Sequence, residues 1–347
     1  MRTLVYGAYG FTGERIVREA LERELDIVVA GRNGTKTRGI GIELDVESRV
    51  FTPGEATAKL DDIDVLVNCA GPFVQTYEDL VEACLDTGTS YLDINGELAV
   101  FEAIAERDRD AEKAGIFLLP GAGFEVVATD CLACHLHDRL PDATHLQLGV
   151  DSEITVTGGT FASLVEHAGA GGRVRREGVI EEDSMAARSR QINFGSGPRN
   201  AVTAPLGDVS TAYYTTGIEN IETYVALPER VAQTLRVTEP LSSLAGITPV
   251  KEGLQYLGYS VASGPSEDER ERDRAFIWGE ARTDDETVAS RLVTPEPYTL
   301  TIDAVTTALE RLEAMDSLPT GFETPAVVFD AEFVLELDDV KGFFDEE

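Results

Sequence analysis

The chain has 347 residues, enough for two domains that each bury a core, and 43% of its residues are hydrophobic. Its 63 acidic and 29 basic residues give a formal net charge of −34, which would repel a phosphate backbone and predicts that nucleic acid is not a partner. Four cysteines are too few for a disulfide framework.

Short apolar runs alternate with helical patterns over the first 125 residues. We predict strands at 3–7, 26–32, 41–46, 64–71, 90–96 and 116–121, and helices at 14–23, 76–88 and 98–115. Gly88 and Gly115 stand where the second and third helices should end in a left-handed residue. This alternation is typical of right-handed crossovers and predicts an α/β fold, with a Rossmann doubly wound parallel sheet over residues 1–125.

The pattern changes after residue 125. Helices are predicted at 126–140 and 300–315, and strands with glycine-rich turns predominate between them. Residues 126–347 are therefore predicted to form a second, mixed α/β domain. This domain could serve both substrate binding and homodimer formation.

Three glycines follow the first predicted strand in the segment "GAYGFTG", at Gly7, Gly10 and Gly13. In a strand–turn–helix unit, such glycines permit a positive φ, close approach of a diphosphate, and tight packing of helix on strand. The N-terminus of the helix offers free N–H groups and a partial positive charge to the phosphates. The segment predicts a dinucleotide site rather than a plain turn.

The end of the second strand indicates which dinucleotide binds. An NAD site usually has an acid there, whereas this chain has Arg32, nineteen residues after Gly13. A guanidinium can bind a 2′-phosphate through several donors, so NADP is favoured over NAD, and Asn33 and Arg38 could assist. Arg32 also counts against S-adenosylmethionine. The alternative is an arginine that simply lies on the surface.

Polar segments follow the fourth, fifth and sixth predicted strands, where an open α/β sheet binds its ligand. They read "NCAGPF", "DINGE" and "PGAGFE", and Phe73 is expected to pack against the nicotinamide ring. Hydride transfer to a C=C, C=O or C=N bond needs a proton donor nearby. The candidates are Tyr77, Asp93, Glu97 and Glu125, and a solvated or helix-starting side chain is the alternative for each.

The segment "CLACH", from Cys131 to His135, matches the thioether-haem signature, and His137 adds a second imidazole. Haem attachment occurs outside the cytoplasm, and no second ligand pair follows at zinc spacing. On a helix, Cys131 and Cys134 would share an apolar face. We therefore interpret the segment as core and predict no metal site.

The acidic residues are spread along the whole chain, and only five of the basic residues are lysines. At molar salt, where the Debye length is ~3 Å, the self-repulsion of such a chain is screened. The composition is typical of a halophile. Neither an export signal nor an apolar run of ~18 residues is visible, so we expect a cytoplasmic protein without a membrane span.

Taken in order, "GAYGFTG", "AGRN", "NCAGPF" and "YEDLVEACLDTGTSYLDINGE" resemble the saccharopine dehydrogenase-like reductases, in particular the branch that includes trans-acting enoyl reductases. The likeness continues in "GAGFEVVATDCLA", "TGGTFASLVE", "PLGDVSTAYYTTGIENIE" and "SLPTGFETPAVVF". It implies an NADP-binding Rossmann domain, then a mixed α/β domain. It also implies that the C-terminal helices, from about residue 298 to 347, pack back near the first domain.

The resemblance also implies roles for single residues. The diphosphate loop would be Gly7, Gly10, Phe11, Thr12 and Gly13, the adenosine phosphate would meet Arg32 and Asn33, and the path to the nicotinamide would be lined by Ala70, Gly71, Pro72 and Phe73. The family usually has Asp in place of Glu125 and Pro-Ser or Pro-Thr in place of Ala128-Thr129. We expect an NADP(H)-dependent oxidoreductase whose small-molecule substrate binds between the domains. A non-catalytic NADP-binding sensor or structural protein is the alternative.

Overall fold

The computed structural model describes residues 1–152, 171–184, 186–195, 197–229, 232–233 and 272–346. By its contacts the chain divides into two compact units. The first comprises residues 1–124 and 298–329, and the second comprises 125–297 and 330–347. The segment "TGGTFASLVE" lies outside the described residues.

Strands and helices are numbered in chain order. The strands are β1 (Arg2–Tyr6), β2 (Asp26–Gly31), β3 (Ser48–Val50), β4 (Val65–Asn68), β5 (Ser90–Asp93), β6 (Phe117–Leu119), β7 (His145–Ser152), β8 (Gly172–Arg176), β9 (Val179–Asp183), β10 (Ser189–Asn193), β11 (Pro198–Thr203), β12 (Asn220–Ala226), β13 (Arg274–Arg282), β14 (Thr287–Pro295), β15 (Gly321–Phe322) and β16 (Lys341–Glu346). The α-helices are α1 (Phe11–Glu22), α2 (Gly34–Leu44), α3 (Tyr77–Thr87), α4 (Leu98–Ala105), α5 (Asp108–Ala114), α6 (Phe124–Arg139), α7 (Asp208–Thr216), α8 (Pro297–Glu313) and α9 (Pro325–Phe329).

The first unit is built on a seven-stranded parallel sheet in the order β15-β6-β5-β4-β1-β2-β3. Strand β4 is buried along its whole length and β1 at every residue but the first, as expected for apolar strands covered on both faces. The strand order reverses at β1 and β4, because β2 and β3 lie on one side of β1 and the later strands on the other. Ligands of doubly wound sheets bind beyond the strand ends at this switch point.

The predicted strand at 41–46 is wrong. Those residues end α2 instead, and Asp45 leaves the helix in a left-handed conformation with φ 54°. The apolar side chains around this stretch do not share one environment, because Ile40, just before it, is buried while Ile42, within it, is 82% exposed. The third strand, β3, follows at the edge of the sheet and is only three residues long.

The predicted helix ends at Gly88 and Gly115 are confirmed. Gly88 caps α3 with φ 74°, and Gly115 caps α5 with φ 71°. The helix predicted over 98–115 is instead two helices, α4 and α5, separated by Glu106 and Arg107. Glycine suits these caps because a left-handed residue with a Cβ atom is strained.

The second unit holds a mixed sheet in the order β10-β11-β12-β7-β13-β14-β16, with β8 paired to β12 and β9. Strand β12 runs parallel to β7, and the other pairs on the path are antiparallel. Helix α6 packs on β13 where Gly279 leaves room, since a Cβ there would lie 2.6 Å from Leu136. The predicted fold class, a Rossmann sheet plus a second mixed α/β domain, is confirmed.

The "CLACH" segment lies within α6 and its side chains are used in packing. Cys131 is fully buried, and the His135 ring stacks on Phe343 at 4.0 Å between centroids while its Nε2 lies 2.9 Å from Asp345. Among the described residues, no group of three or more histidine, cysteine or acidic side chains could hold a metal ion.

Candidate dinucleotide-binding site

The turn after β1 requires its first and last glycines. Gly7 has φ 86°, and a Cβ on it would lie 3.0 Å from the backbone N of Ala70. A Cβ on Gly13 would lie 2.5 Å from the carbonyl oxygen of Gly7. The first glycine therefore lets this turn approach the turn after β4, and the last lets α1 pack directly on the end of β1.

Helix α1 begins at Phe11, and its N-cap residue is Gly10. Gly10 donates its N–H to the carbonyl of Gly7 at 2.9 Å and has no side chain that could cap the helix. The first-turn N–H groups of a helix have no partner within the helix. Helix α1 thus offers these donors, with the positive end of its dipole, to an anion.

Phe11 is held by residues from two helices. The guanidinium of Arg15 lies 3.7 Å above its ring, and Tyr298 meets the ring edge-on with the centroids 5.1 Å apart. Tyr298 lies in the first turn of α8, 287 residues further along the chain. Tyr298 could not be identified from the sequence, because no local motif marks it.

The end of β2 is a basic stretch in an acidic protein. Residues 27–42 contain three basic residues, Arg32, Lys36 and Arg38, and no acid. Arg32 is exposed. Arginines elsewhere in this unit, such as Arg2 and Arg23, pair with carboxylates, but none of the ion pairs between described residues involves Arg32. Its guanidinium can therefore bind an incoming anion without first leaving a carboxylate.

The neighbours of Arg32 have defined roles in the local structure. Asn33 is the N-cap of α2, and its side chain accepts a hydrogen bond from the backbone N–H of Lys36 at 3.1 Å. Arg38 donates to the carbonyl of Gly34 at 3.3 Å, and the Lys36 ammonium lies 5.7 Å from the ring centre of Tyr9. Asn33 shapes the turn that presents the basic stretch.

The turn after β4, residues 70–76, approaches the glycine loop, residues 7–13, at Ala70. Asn68 accepts a hydrogen bond from the Ala70 N–H at 3.0 Å and donates to Thr76 at 3.1 Å. Phe73, which the sequence assigned to the nicotinamide ring, is 9% exposed and belongs to the core cluster of this unit. Its neighbour Val74 is 38% exposed.

Asp93 ends β5 and is fully buried. Its carboxylate accepts hydrogen bonds from Tyr91 Oη at 2.9 Å, from the side chain of Asn95 at 2.8 Å and from the backbone N–H of Gly121 at 2.8 Å. Burial raises the pKa of Asp93 to about 6, although these hydrogen bonds lower it. Asp93 therefore ties the ends of β5 and β6 together.

Glu97, the N-cap of α4, is 3% exposed. Its two carboxylate oxygens accept hydrogen bonds from the backbone N–H groups of Phe73, at 2.9 Å, and Val74, at 3.0 Å. Its own N–H donates to the side-chain oxygen of Asn95 at 2.7 Å. The carboxylate is thus directed at the turn after β4.

The two other candidate proton donors lie nearer to solvent. Tyr77 is the first residue of α3 and half-buried, and burial raises the pKa of its hydroxyl. Glu125 is exposed on the first turn of α6. Tyr77, Asp93 and Glu97 belong to the first unit, whereas Glu125 belongs to the second.

The second unit contains a buried acidic pair that no sequence motif indicates. Asp130 on α6 and Asp208 on α7 are both fully buried. Asp130 accepts a hydrogen bond from Thr215, and Asp208 accepts one from Thr129. Burial raises the pKa of Asp208 well above its ordinary value, and the charge of Asp130 adds to this. The pair links α6 to α7.

Known proteins share parts of this sequence and fold. Residues 3–119 match the family model of the saccharopine dehydrogenase NADP binding domain. A protein of Arabidopsis thaliana named "probable mitochondrial saccharopine dehydrogenase-like oxidoreductase" is 28% identical over 192 residues, which are 47% of this chain and 42% of that protein. A trans-acting enoyl reductase of Mycobacterium leprae is 28% identical over 182 residues, 47% of this chain and 43% of that protein. The chain thus spans less than half the length of these relatives.

The fold also occurs in a solved structure. Apo saccharopine dehydrogenase (L-Glu forming) from Saccharomyces cerevisiae aligns over 96% of both chains with a TM-score of 0.61 and 12% identity. At this identity the likeness concerns the fold alone. No α-helix in the described ranges is both long and apolar enough to cross a membrane.

Proposed function

We propose that this chain, whose residues 3–119 match the family model of the saccharopine dehydrogenase NADP binding domain, is an NADP(H)-dependent oxidoreductase. It would transfer a hydride between the nicotinamide and a C=C, C=O or C=N bond of a small substrate. The observation that carries this proposal is the cradle of Gly7, Gly10 and Gly13 at the sheet's switch point, with Arg32 exposed at the end of the next strand.

The residues present fit the diphosphate of such a cofactor. Side chains at Gly7 or Gly13 would meet backbone atoms at 3.0 Å or less, so the loop can take this compact shape at the end of β1 only because these positions are glycine. The N-terminus of α1 supplies N–H donors and partial positive charge at the same place. The backbone of residues 10–13 would hold the diphosphate.

The residues also fit a 2′-phosphate better than a free 2′-hydroxyl. Arg32 offers several donors but cannot accept the hydrogen bond of a hydroxyl. Lys36 and Arg38 add positive charge within an acid-free stretch. At molar salt the net charge of −34 is screened beyond ~3 Å, so the phosphate would be bound by direct contact with these cations and not by long-range attraction.

The bound cofactor would supply the hydride, and the protein would supply a proton where the reaction needs one. Asp93 and Glu97 are buried and bound to backbone N–H groups, which makes them poor donors to a substrate. Tyr77 and Glu125 are more exposed and are therefore the better candidates. The names of the relatives, an oxidoreductase and an enoyl reductase, support hydride transfer as the reaction class.

A non-catalytic NADP-binding protein is the second candidate. It is favoured by the same burial of Asp93 and Glu97. These are two of the four candidate proton donors, and both already accept hydrogen bonds from backbone N–H groups. The two functions differ in turnover. A binding protein would bind NADPH without oxidising it in the presence of any acceptor.

Cofactor titration tests the proposal. Full-length protein in molar KCl is titrated with NADPH and NADH, followed by nicotinamide fluorescence, and NADPH should bind at least about tenfold more tightly because of the charge-assisted bonds to the 2′-phosphate. Saturated protein is then mixed with enoyl, carbonyl and imine compounds and its nicotinamide absorbance recorded. Absence of NADPH binding would overturn the proposal, and binding without oxidation by any acceptor would favour the second candidate.

A further inference from the structure

We propose that Glu97 is a positioning residue that fixes the turn after β4, residues 70–76, against the nicotinamide half of the cofactor. It acts through a buried chain of hydrogen bonds from Asp93 through Asn95. The proposal rests on the proposed function, because it assigns this turn to one half of a bound NADP(H).

The contact between Glu97 and the turn is direct and specific. One carboxylate oxygen accepts from the N–H of Phe73 at 2.9 Å and the other from the N–H of Val74 at 3.0 Å. Burying an ionised carboxylate is costly unless hydrogen bonds compensate it. With its side chain in this position, Glu97 holds two consecutive backbone donors that would otherwise lack a partner in the short helical turn that begins at Phe73.

The orientation of Glu97 is itself determined by the residues behind it. The Glu97 N–H donates to Asn95 Oδ1 at 2.7 Å, and Asn95 Nδ2 donates to Asp93 at 2.8 Å. Asp93 in turn accepts from the Gly121 N–H at 2.8 Å and from Tyr91 Oη at 2.9 Å. This chain of contacts connects the ends of β5 and β6 with the turn.

The other end of the turn is also held by buried side chains. Asn68 is fully buried, accepts from the N–H of Ala70 and donates to Tyr91 Oη at 3.1 Å. Thr76 donates to the carbonyl of Ala70 at 2.9 Å. Tyr91 therefore links the two anchors of the turn, Asn68 at its start and the Asp93–Asn95–Glu97 chain at its middle.

The turn lies next to the glycine loop. A Cβ on Gly7 would lie 3.0 Å from the backbone N of Ala70 and 3.1 Å from its Cβ. A dinucleotide whose diphosphate lies on the glycine loop extends its adenosine half toward the end of β2. The strands on the other side of β1 start with β4. The nicotinamide half of the dinucleotide would therefore extend toward the turn after β4, which Glu97 holds.

Replacing Glu97 by glutamine separates this role from bulk packing. Glutamine has the same shape but only one acceptor oxygen, and its NH₂ group would face the second backbone N–H. The substitution E97Q should thus remove one of the two hydrogen bonds to the turn while leaving the volume of the side chain unchanged. The matched control is E22Q, which makes the same charge change at an exposed position in the same unit.

The test compares two probes on full-length protein in molar KCl: NADPH, and adenosine 2′,5′-bisphosphate, which lacks the nicotinamide half. We expect E97Q to weaken NADPH binding about tenfold or more, to change the Kd of adenosine 2′,5′-bisphosphate less than twofold, and to speed hydrogen exchange at the amides of Phe73 and Val74. E22Q should match the wild type in all three measurements.

The outcomes distinguish this proposal from the function on which it rests. If the wild type does not bind NADPH, the proposed function fails and this inference fails with it. If the wild type binds NADPH but E97Q binds it equally well, or loses both probes to the same extent, only the positioning role is refuted. Should E97Q not fold, N95A breaks the same chain one step earlier and is expected to give the same selective loss.

Discussion

Substituting Gly13 by alanine probes the packing on which the proposed cofactor site depends. The new Cβ would lie 2.5 Å from the carbonyl oxygen of Gly7 and 3.2 Å from the Cα of Ala8. Ordinary contacts of a Cβ begin near 3.4 Å, so α1 must move about 0.9 Å away from the end of β1. Both neighbours are backbone atoms and cannot rotate aside. Such overpacking costs roughly 1–3 kcal/mol of stability.

The same displacement should weaken cofactor binding, because the N–H donors at the start of α1 move away from the place where the diphosphate would lie. We expect G13A to lower the midpoint of urea unfolding and to weaken NADPH binding by about tenfold or more, the equivalent of one charge-assisted hydrogen bond. Circular dichroism and fluorescence titration measure the two effects separately.

A second glycine provides the control. Gly39 lies inside α2, and a Cβ there would meet nothing within 4 Å. Alanine should therefore stabilise the helix by roughly 0.5–1 kcal/mol and leave the Kd of NADPH unchanged. The reasoning is refuted if G13A is as stable as the wild type, or if it loses stability but binds NADPH normally.

Three further predictions follow from charge. R32A should reduce the preference for NADPH over NADH about tenfold or more in paired titrations. The control R109A, at another exposed arginine of the same unit, should leave the preference unchanged. An equal effect of both substitutions would indicate general electrostatics and not a specific contact of Arg32. Asp93 has a folded pKa of about 6, above the ordinary value of ~3.9 that it has when unfolded. Between these values the folded state holds a proton that the unfolded state lacks, so this group's contribution to stability falls as the pH rises, by about 3 kcal/mol over the window. Urea unfolding at pH 4 and pH 7 should show this slope in the wild type and a smaller one in D93N, where the buried Asp208 still titrates in the same direction. Equal slopes in the two proteins would contradict the assignment to Asp93. Lowering KCl from about 2 M to 0.1 M lengthens the Debye length from below 3 Å to ~10 Å. Because the net charge is −34, the resulting self-repulsion should lower the urea midpoint of unfolding, and sucrose at low salt should not restore it. Equal midpoints at the two salt concentrations would contradict a halophilic origin.

The sheet of the first unit could be predicted from sequence because its strands are buried on both faces. Such strands are apolar at successive residues, and β1 and β4 both show this pattern. The edge strand β3 lacks it, since all three of its residues are partly exposed. The apolar residues just before it therefore attracted the strand prediction, although they belong to α2. Prediction failed where burial, its physical signal, was weakest.

The candidate site divides in the same way. The glycine loop and Arg32 could be found because a single βαβ unit supplies them within about 30 residues, and each needs a particular residue type for a local reason. Tyr298 could not be found, because it reaches Phe11 only through the return of α8 to the first unit. Contacts of this kind depend on the completed fold.

Asp93 and Glu97 lie between these cases. Their position after β5 follows from the sequence, but the direction of each carboxylate depends on backbone N–H groups from two other segments, at Phe73 and at Gly121. A carboxylate at a strand end looks the same in sequence whether it faces solvent or the backbone. Burial distinguishes the two cases. A buried carboxylate that accepts hydrogen bonds from backbone N–H groups is fixed in place, and its role is to position the backbone segments that it binds. In the proposed reaction an acid–base role would therefore fall to a more exposed group. In the first unit that candidate is Tyr77, which is half-buried at the start of α3, directly after the turn that Glu97 holds.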